Sequence, residues 1–165
     1  MTQISFIQLV DLVRSVQTAY YRLVVIAGVL GCGKTRLLNQ VATHLSMPKI
    51  NLSLLVSRSL LPMSHRQRML KAPAVAMDTI DAHGSAGVCL DDTELLFDSS
   101  LRLNPLTFLQ DVSRNRLIVA TWNGALEGGE LRYASAGHPD FFRQPVGGYP
   151  VVTLTEDKFQ LHFST

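Results

Sequence analysis

The segment GVLGCGKT, residues 28–35, constrains this chain more than any other part of its sequence. It satisfies the pattern G-x-x-x-x-G-K-[ST], follows the apolar run 22–27 and precedes apolar residues at helical spacing. Its glycines let the backbone wrap N–H groups around phosphate oxygens. The Lys34 ammonium can bind the phosphates, and the Thr35 hydroxyl can bind magnesium. The segment therefore predicts a buried strand, a phosphate-binding loop and a helix whose N-terminus faces the anion.

A chance match at an ordinary strand-to-helix turn is the alternative interpretation of this segment. The strand pattern before it and the helix pattern after it argue against that alternative. The predicted nucleotide-binding residues are Gly28, Val29, Leu30, Gly31, Cys32, Gly33, Lys34, Thr35 and Arg36.

The length and composition indicate one domain with a substantial core. The chain has 165 residues, of which 47% are hydrophobic and 17% are charged, so apolar surface is expected in a buried sheet or a subunit interface. A formal charge of +2 is too small to indicate nucleic-acid binding by the whole chain. Two cysteines and no apolar run of membrane-spanning length predict a cytoplasmic protein without a disulfide framework. We expect a single domain over 1–165, with an N-terminal helix in 1–20, a core in 22–124, and C-terminal loops and short strands in 125–165.

Strand patterns alternate with helix patterns along the core. Buried strands are predicted at 22–27, 86–90 and 116–121, with a short strand at 50–52, and helices at 5–18, 34–45, 53–61, 74–82 and 105–113. A hairpin is predicted around Glu156 and Asp157. This alternation predicts a three-layer α/β fold with a mainly parallel, five-stranded sheet, whose ligand site lies where the strands end. No helical lid is expected, because the residues after Thr121 have loop and short-strand character.

Acidic residues follow the second buried strand. Asp91 stands where that strand ends and can hold magnesium opposite Thr35. Asp92 and Glu94 are the two candidates for a base that activates water, and the sequence does not choose between them. A helix N-cap at Asp92 or Thr93 is the structural alternative.

The third buried strand ends in two polar candidates. The interval between Lys34 and Asp91 contains a further strand, as in the ATPases of the AAA+ and RecA-like class. In that class the next strand ends in a polar residue that senses the γ-phosphate, so Thr121 and Asn123 are candidates here, with ordinary turn formation as the alternative. No N-K-x-D element for guanine is present, which favours ATP.

Arginines cluster in two places away from these motifs. Three uses compete: an arginine supplied in trans to a neighbouring subunit, contact with DNA phosphates, and a solvated helix face. The candidates are Arg58, Arg66, Arg68, Arg114 and Arg116. The five histidines show no metal-site spacing, and a catalytic role for His138 is remote.

The chain resembles the BrxF family, the small P-loop proteins of type 3 BREX phage-defence systems. The resemblance covers most of the chain to about Phe142 and is carried by the runs YYRLVVIAGVLGCGKTRLLNQVA, INLSLLVSRSLL, CLDDTELLF, SRNRLIVATWNG and YASAGHPDFF. It implies a bacterial cytoplasmic protein that binds ATP and Mg²⁺ and works beside other defence subunits, including another ATPase and a DNA methyltransferase. Members often have Asn where this chain has Asp92, which bears on the choice of base.

The predicted function is therefore an ATP-binding, weakly hydrolysing subunit that forms a homo-oligomer and serves a defence complex on DNA. A nucleotide-gated assembly switch without hydrolysis is one alternative. A small-molecule kinase is another, although the acidic strand end at Asp91 favours water as the phosphate acceptor.

Overall fold

The strand Leu23–Gly28 is buried along its whole length and forms the centre of the fold. A strand that is apolar on both faces is stable only when helices cover both sides of its sheet. The computed structural model, which describes residues 2–134, 136–156 and 158–162, places this strand in a seven-stranded sheet.

The main sheet has the strand order β1-β10-β9-β2-β5-β4-β3. The five neighbours from β9 to β3 run parallel, and β10 and β1 are added antiparallel at the β9 side. A second sheet, in the order β6-β7-β8, connects β5 to β9. The strands are β1 Thr2–Ile4, β2 Leu23–Gly28, β3 Lys49–Asn51, β4 Gly87–Asp91, β5 Leu117–Asn123, β6 Ala125–Glu127, β7 Glu130–Tyr133, β8 Phe142–Pro145, β9 Val151–Thr155 and β10 Lys158–His162.

Among the described residues, five α-helices cover the main sheet in two layers. They are α1 Phe6–Ser15, α2 Lys34–Leu45, α3 Leu52–Leu60, α4 His65–His83 and α5 Pro105–Val112. Side chains of α1 and α2 pack with Val24 and Ile26 on one face of β2, while α3, α4 and α5 pack with Leu23, Val25 and Ala27 on the other. The alternation of side chains along β2 thus divides the core into two halves.

The predicted α/β fold with a mostly parallel sheet is confirmed, but the sheet has seven strands rather than five. The strand β1 lies in the segment predicted to hold only a helix, and β9 brings the C-terminal segment into the parallel core. The predicted hairpin is present as β9 and β10, although Asp157 itself lies outside the described residues. Only helix or strand periodicity was visible in the sequence, and the three residues of β1 are too few to show it.

The longest helix begins well before the predicted start at residue 74. Ser64 caps α4 by accepting a hydrogen bond from the Gln67 amide, and the Gln67 side chain accepts one from the Ser64 amide. Such a reciprocal pair fixes a helix N-terminus. Pro73 lies inside the helix, where the loss of an N–H normally interrupts the backbone bonds, so the sequence favoured a later start.

Candidate functional site

The carboxyl ends of the parallel strands lie at one edge of the sheet, where they border a cleft. We call this the main cleft, and its volume is about 790 Å³, within the range of small-molecule sites. Its lining residues come from the loop after β2, the start of α2 and the ends of β3, β4 and β5. They are Leu30, Gly31, Gly33, Lys34, Thr35, Arg36, Asn39, Asn51, Asp91, Asp92, Glu94, Thr121 and Asn123.

The loop between β2 and α2 depends on glycine at specific positions. Gly31 and Gly33 have φ of 81° and 102°, conformations that residues with a Cβ rarely adopt. Gly28 lies beside β9, and a Cβ there would be 2.5 Å from Cys32 Sγ and 2.9 Å from the Leu154 carbonyl oxygen. The loop is therefore packed against the sheet at its start and open toward the main cleft at its tip.

Lys34 is the first residue of α2 and is buried, with 6% of its surface exposed. Its Nζ donates to the Val29 carbonyl over 2.7 Å and lies 3.8 Å from Cys32 Sγ. Burial lowers the pKa of Lys34 from its ordinary value, and the neighbouring Cys32, followed by the carboxylates of Asp91 and Glu94, acts in the opposite direction. A cation that has lost water but has no direct carboxylate partner is well suited to receive an anion.

Asp91 is the point where several donors of the main cleft converge. Its Oδ1 accepts from Thr35 Oγ1 over 3.2 Å, from Thr121 Oγ1 over 3.3 Å and from the Asp92 amide over 3.0 Å. Its Oδ2 is 3.7 Å from the ammonium of Lys49. The carboxylate is therefore fixed opposite the hydroxyl of Thr35.

The residues at this point fit magnesium only in part. Thr35 and Asp91 are oxygen ligands, which Mg²⁺ prefers. Across 2–134, 136–156 and 158–162, no group of three His, Cys, Asp or Glu residues could hold a metal ion. The ion would therefore need oxygens from a phosphate and from water besides these two side chains, which is the usual situation at nucleotide sites.

The turn after β4 places Asp92 and Glu94 in the main cleft. Asp92 has φ of 47°, and its carbonyl accepts from the amide and the hydroxyl of Ser53 over 2.9 and 2.6 Å. The Glu94 carboxylate accepts a hydrogen bond from the side-chain amide of Asn123. The two candidate bases are thus held differently, Asp92 through its backbone and Glu94 through its side chain.

The structure contradicts the alternative in which Asp92 or Thr93 caps a helix. A 3₁₀ turn covers Glu94–Phe97, and no side-chain hydrogen bond caps it. The Thr93 hydroxyl instead donates to the Thr121 carbonyl over 2.6 Å, which joins the end of β4 to β5.

Three of the predicted nucleotide-binding residues do not line the main cleft. Gly28 and Val29 border a smaller cavity beside β6 and β9, and Cys32 borders a cavity between α2 and β9. The Val29 carbonyl nonetheless accepts a hydrogen bond from Lys34, which links the start of the loop to the start of α2.

The arginine candidates lie away from the main cleft. Arg58 and Arg66 are exposed on α3 and α4. Arg68 donates to the carbonyls of Leu60, Leu61 and Met63 and so closes the corner between these helices.

Arg114 and Arg116 stand before β5, at the opposite end of that strand from Asn123. Arg114 lies 3.9 Å from the centre of the Tyr20 ring. Arg116 forms an ion pair with Asp81 over 2.5 Å.

Sequence reasoning missed four polar residues at this site. Lys49 pairs with Asp91, Ser53 holds the Asp92 turn, and Asn39 and Asn51 line the main cleft. The available signal was that Asn51 ends a parallel strand, because such positions gather at the ligand edge. Lys49 and Ser53 carried no such signal, since their contacts join distant segments.

Comparisons with known proteins assign neither a family nor a function to this chain. No protein-family model matches the sequence, and no curated protein does. A solved structure described as C. elegans PCH-2 matches with a TM-score of 0.43 and 24% identity. The match covers 72% of this chain and 36% of that chain.

None of the helices in the described part of the chain has the length and apolar character needed to cross a membrane.

Proposed function

We propose that this chain binds Mg²⁺-ATP and hydrolyses it weakly, as a P-loop subunit of the AAA+ or RecA-like class. One observation carries the proposal: Lys34 and Thr35 open α2 at the main cleft, with Thr35 Oγ1 3.2 Å from Asp91. In this arrangement the loop and the lysine can bind phosphate, and the hydroxyl and the carboxylate can bind magnesium.

The order of the strands supports the same class. β5, which carries Thr121 and Asn123, lies between β2 and β4 and so between the two nucleotide motifs in space. The strand that separates these motifs along the chain, β3, lies instead at the edge of the sheet. After Asn123 every regular element in the described residues is a strand.

The chain's own groups can perform the steps of hydrolysis. The amides at the start of α2, which have no helical acceptor, and the Lys34 ammonium bind phosphate oxygens. Bound magnesium would supply charge neutralisation, held by Thr35 and Asp91. Glu94, oriented by Asn123, accepts a proton from the attacking water, and Thr121 holds Asp91 in place.

An exposed face of α3 supports oligomer formation. Leu54 and Leu61 are 46% and 72% exposed, and they lie with Arg58 at helical spacing. Leu70 of α4 is also exposed. An interface between subunits would remove these side chains from water. It would also bring Arg58 or Arg66 toward a neighbouring copy.

The cellular role rests on the sequence resemblance to the BrxF family alone. On that basis the subunit acts in the bacterial cytoplasm with other BREX subunits in antiviral defence, on DNA bound directly or through partners. A nucleotide-gated switch is retained as the alternative to an active ATPase.

Phosphate release per subunit, measured against protein concentration with Mg²⁺-ATP alone, tests the proposal. A specific rate that rises with concentration supports an oligomeric ATPase in which a neighbour completes the site. Tight ATP binding without release supports the switch. Formation of ADP that requires an added small-molecule acceptor, with the phosphoryl group transferred to that acceptor and no phosphate released, favours a kinase, and absence of ATP binding contradicts the proposal.

A further inference from the structure

A second cavity, of about 400 Å³, lies at the edge of the sheet opposite the main cleft. We call it the Arg22 cavity. It is bounded by the amino ends of β2, β4 and β5 and by the segment that follows α2. Its walls include Gln17, Arg22, Ser46, Met47, Pro48 and Leu117.

Arg22 borders this cavity, and its guanidinium has no ion-pair partner among the described residues. Its Nε is buried and has no hydrogen-bond partner, and no Asp or Glu of the described residues lies within salt-bridge distance of its guanidinium. The backbone at this position is fixed, because the Arg22 amide donates to the Ser113 carbonyl over 3.0 Å and its carbonyl accepts from Ile118.

Two other arginines in this protein show how such a group is normally satisfied. Arg116 and Arg132 also have a buried Nε without a partner, but their terminal nitrogens form ion pairs with Asp81 and Glu127. Within the described part of the chain, Arg22 has no equivalent ion pair. The buried Arg22 Nε lacks a hydrogen bond and the guanidinium lacks a counter-charge among the described residues, and an anion held in the cavity by the terminal nitrogens would supply that counter-charge.

We propose that the Arg22 cavity binds a small carboxylate carried on a short branched hydrocarbon. The planar guanidinium presents paired N–H groups that match the two oxygens of a carboxylate. Met47, Pro48 and Leu117 provide an apolar wall for the hydrocarbon, and Gln17 and Ser46 provide polar groups. This site is separate from the main cleft and does not depend on the function proposed for it.

Titration of the isotope-labelled protein with isovalerate, followed by NMR at the arginine Nε–Hε signals, tests this site. We expect one signal, absent from the Arg22→Gln variant, to shift and saturate with isovalerate and to remain unchanged with the neutral isostere isovaleramide. Arg22→Gln should weaken isovalerate binding at least tenfold. The exposed Arg14→Gln variant, matched in chemistry, should bind as the wild type does.

Other outcomes would overturn the proposal. One is that the arginine signal shows no saturable shift with isovalerate. Another is that it shifts equally with isovaleramide. A third is that only inorganic phosphate saturates it. If Arg22→Gln does not fold, the wild-type comparison of isovalerate with isovaleramide still decides whether the site requires a negative charge. Lys34→Ala should leave isovalerate binding unchanged, which separates failure of this site from failure of the nucleotide site.

Discussion

Thr35 donates a hydrogen bond to Asp91 Oδ1 over 3.2 Å and so joins the first turn of α2 to the carboxyl end of β4. The two residues are 56 positions apart in the chain, and the parallel sheet alone brings them together. The same carboxylate oxygen accepts hydrogen bonds from the Thr121 hydroxyl and from the Asp92 amide. Asp91 therefore joins the start of α2 to β5 and to the turn after its own strand.

Asp91→Asn should remove the magnesium dependence of ATP binding. An amide retains an oxygen for Thr35 but lacks the charge that holds a divalent cation. We expect the affinity for Mg²⁺-ATP to fall about tenfold or more, as for loss of a hydrogen bond to a charged group. Calorimetric titration with Mg²⁺ and with EDTA measures this, and Asp11→Asn on the exposed face of α1 is the control. An Asp91→Asn protein that still binds more tightly with Mg²⁺ would contradict the assignment.

Lys34→Ala should abolish measurable ATP binding while the protein stays folded. The ammonium is the main positive charge inside the loop, and its burial makes it costly unless an anion is bound. We expect a melting temperature equal to or above that of the wild type, because a buried charge is removed. The exposed Lys71→Ala variant controls for charge, and unchanged affinity in Lys34→Ala would exclude the phosphate-loop interpretation.

Glu94→Gln should reduce phosphate release more than Asp92→Asn does. The Glu94 carboxylate is oriented by Asn123, whereas Asp92 is held through its backbone carbonyl. Loss of a general base costs about 10²- to 10⁴-fold in rate, so we expect a fall in that range for Glu94→Gln and less than about tenfold for Asp92→Asn. Initial rates at saturating ATP decide between them, and full activity in both variants would place the base elsewhere.

The glycine loop before α2 and the position of Asp91 at the end of β4 could be predicted, because each is marked by a short motif beside a strand pattern. Lys49 could not, since its contact with Asp91 depends on β3 pairing with β4. The second sheet and β1 were also missed, because short strands gain their stability from pairing with distant segments and not from local pattern. The role of Arg68 as a bridge to three carbonyls was equally invisible, because an arginine on a helix face reads as solvated in sequence.

Gly28→Ala should destabilise the fold, whereas Gly147→Ala should not. A Cβ at position 28 would overlap Cys32 Sγ and the Leu154 carbonyl, and a backbone carbonyl cannot move aside without shifting β9. A Cβ at position 147 meets nothing within 4 Å. We expect a loss of about 1–3 kcal/mol for Gly28→Ala, equivalent to a fall in melting temperature of roughly 2–12 °C. Equal melting temperatures for the two variants would contradict the close packing of the loop against β9.

His162 should make the fold less stable below neutral pH. Burial lowers the pKa of His162 from its ordinary value of 6.5, and its Nε2 lies 3.1 Å from Thr153 Oγ1 on the neighbouring strand β9. Because the unfolded chain binds the proton more readily than the folded one, stability is complete above the ordinary pKa and decreases as the pH falls below about 6.5. Melting temperatures between pH 7.5 and 5.5 should show this decrease in the wild type and a smaller one in His162→Gln, which can still hydrogen-bond Thr153. The exposed His65→Gln variant should follow the wild type, and an identical pH dependence in His162→Gln would show that other groups cause the loss.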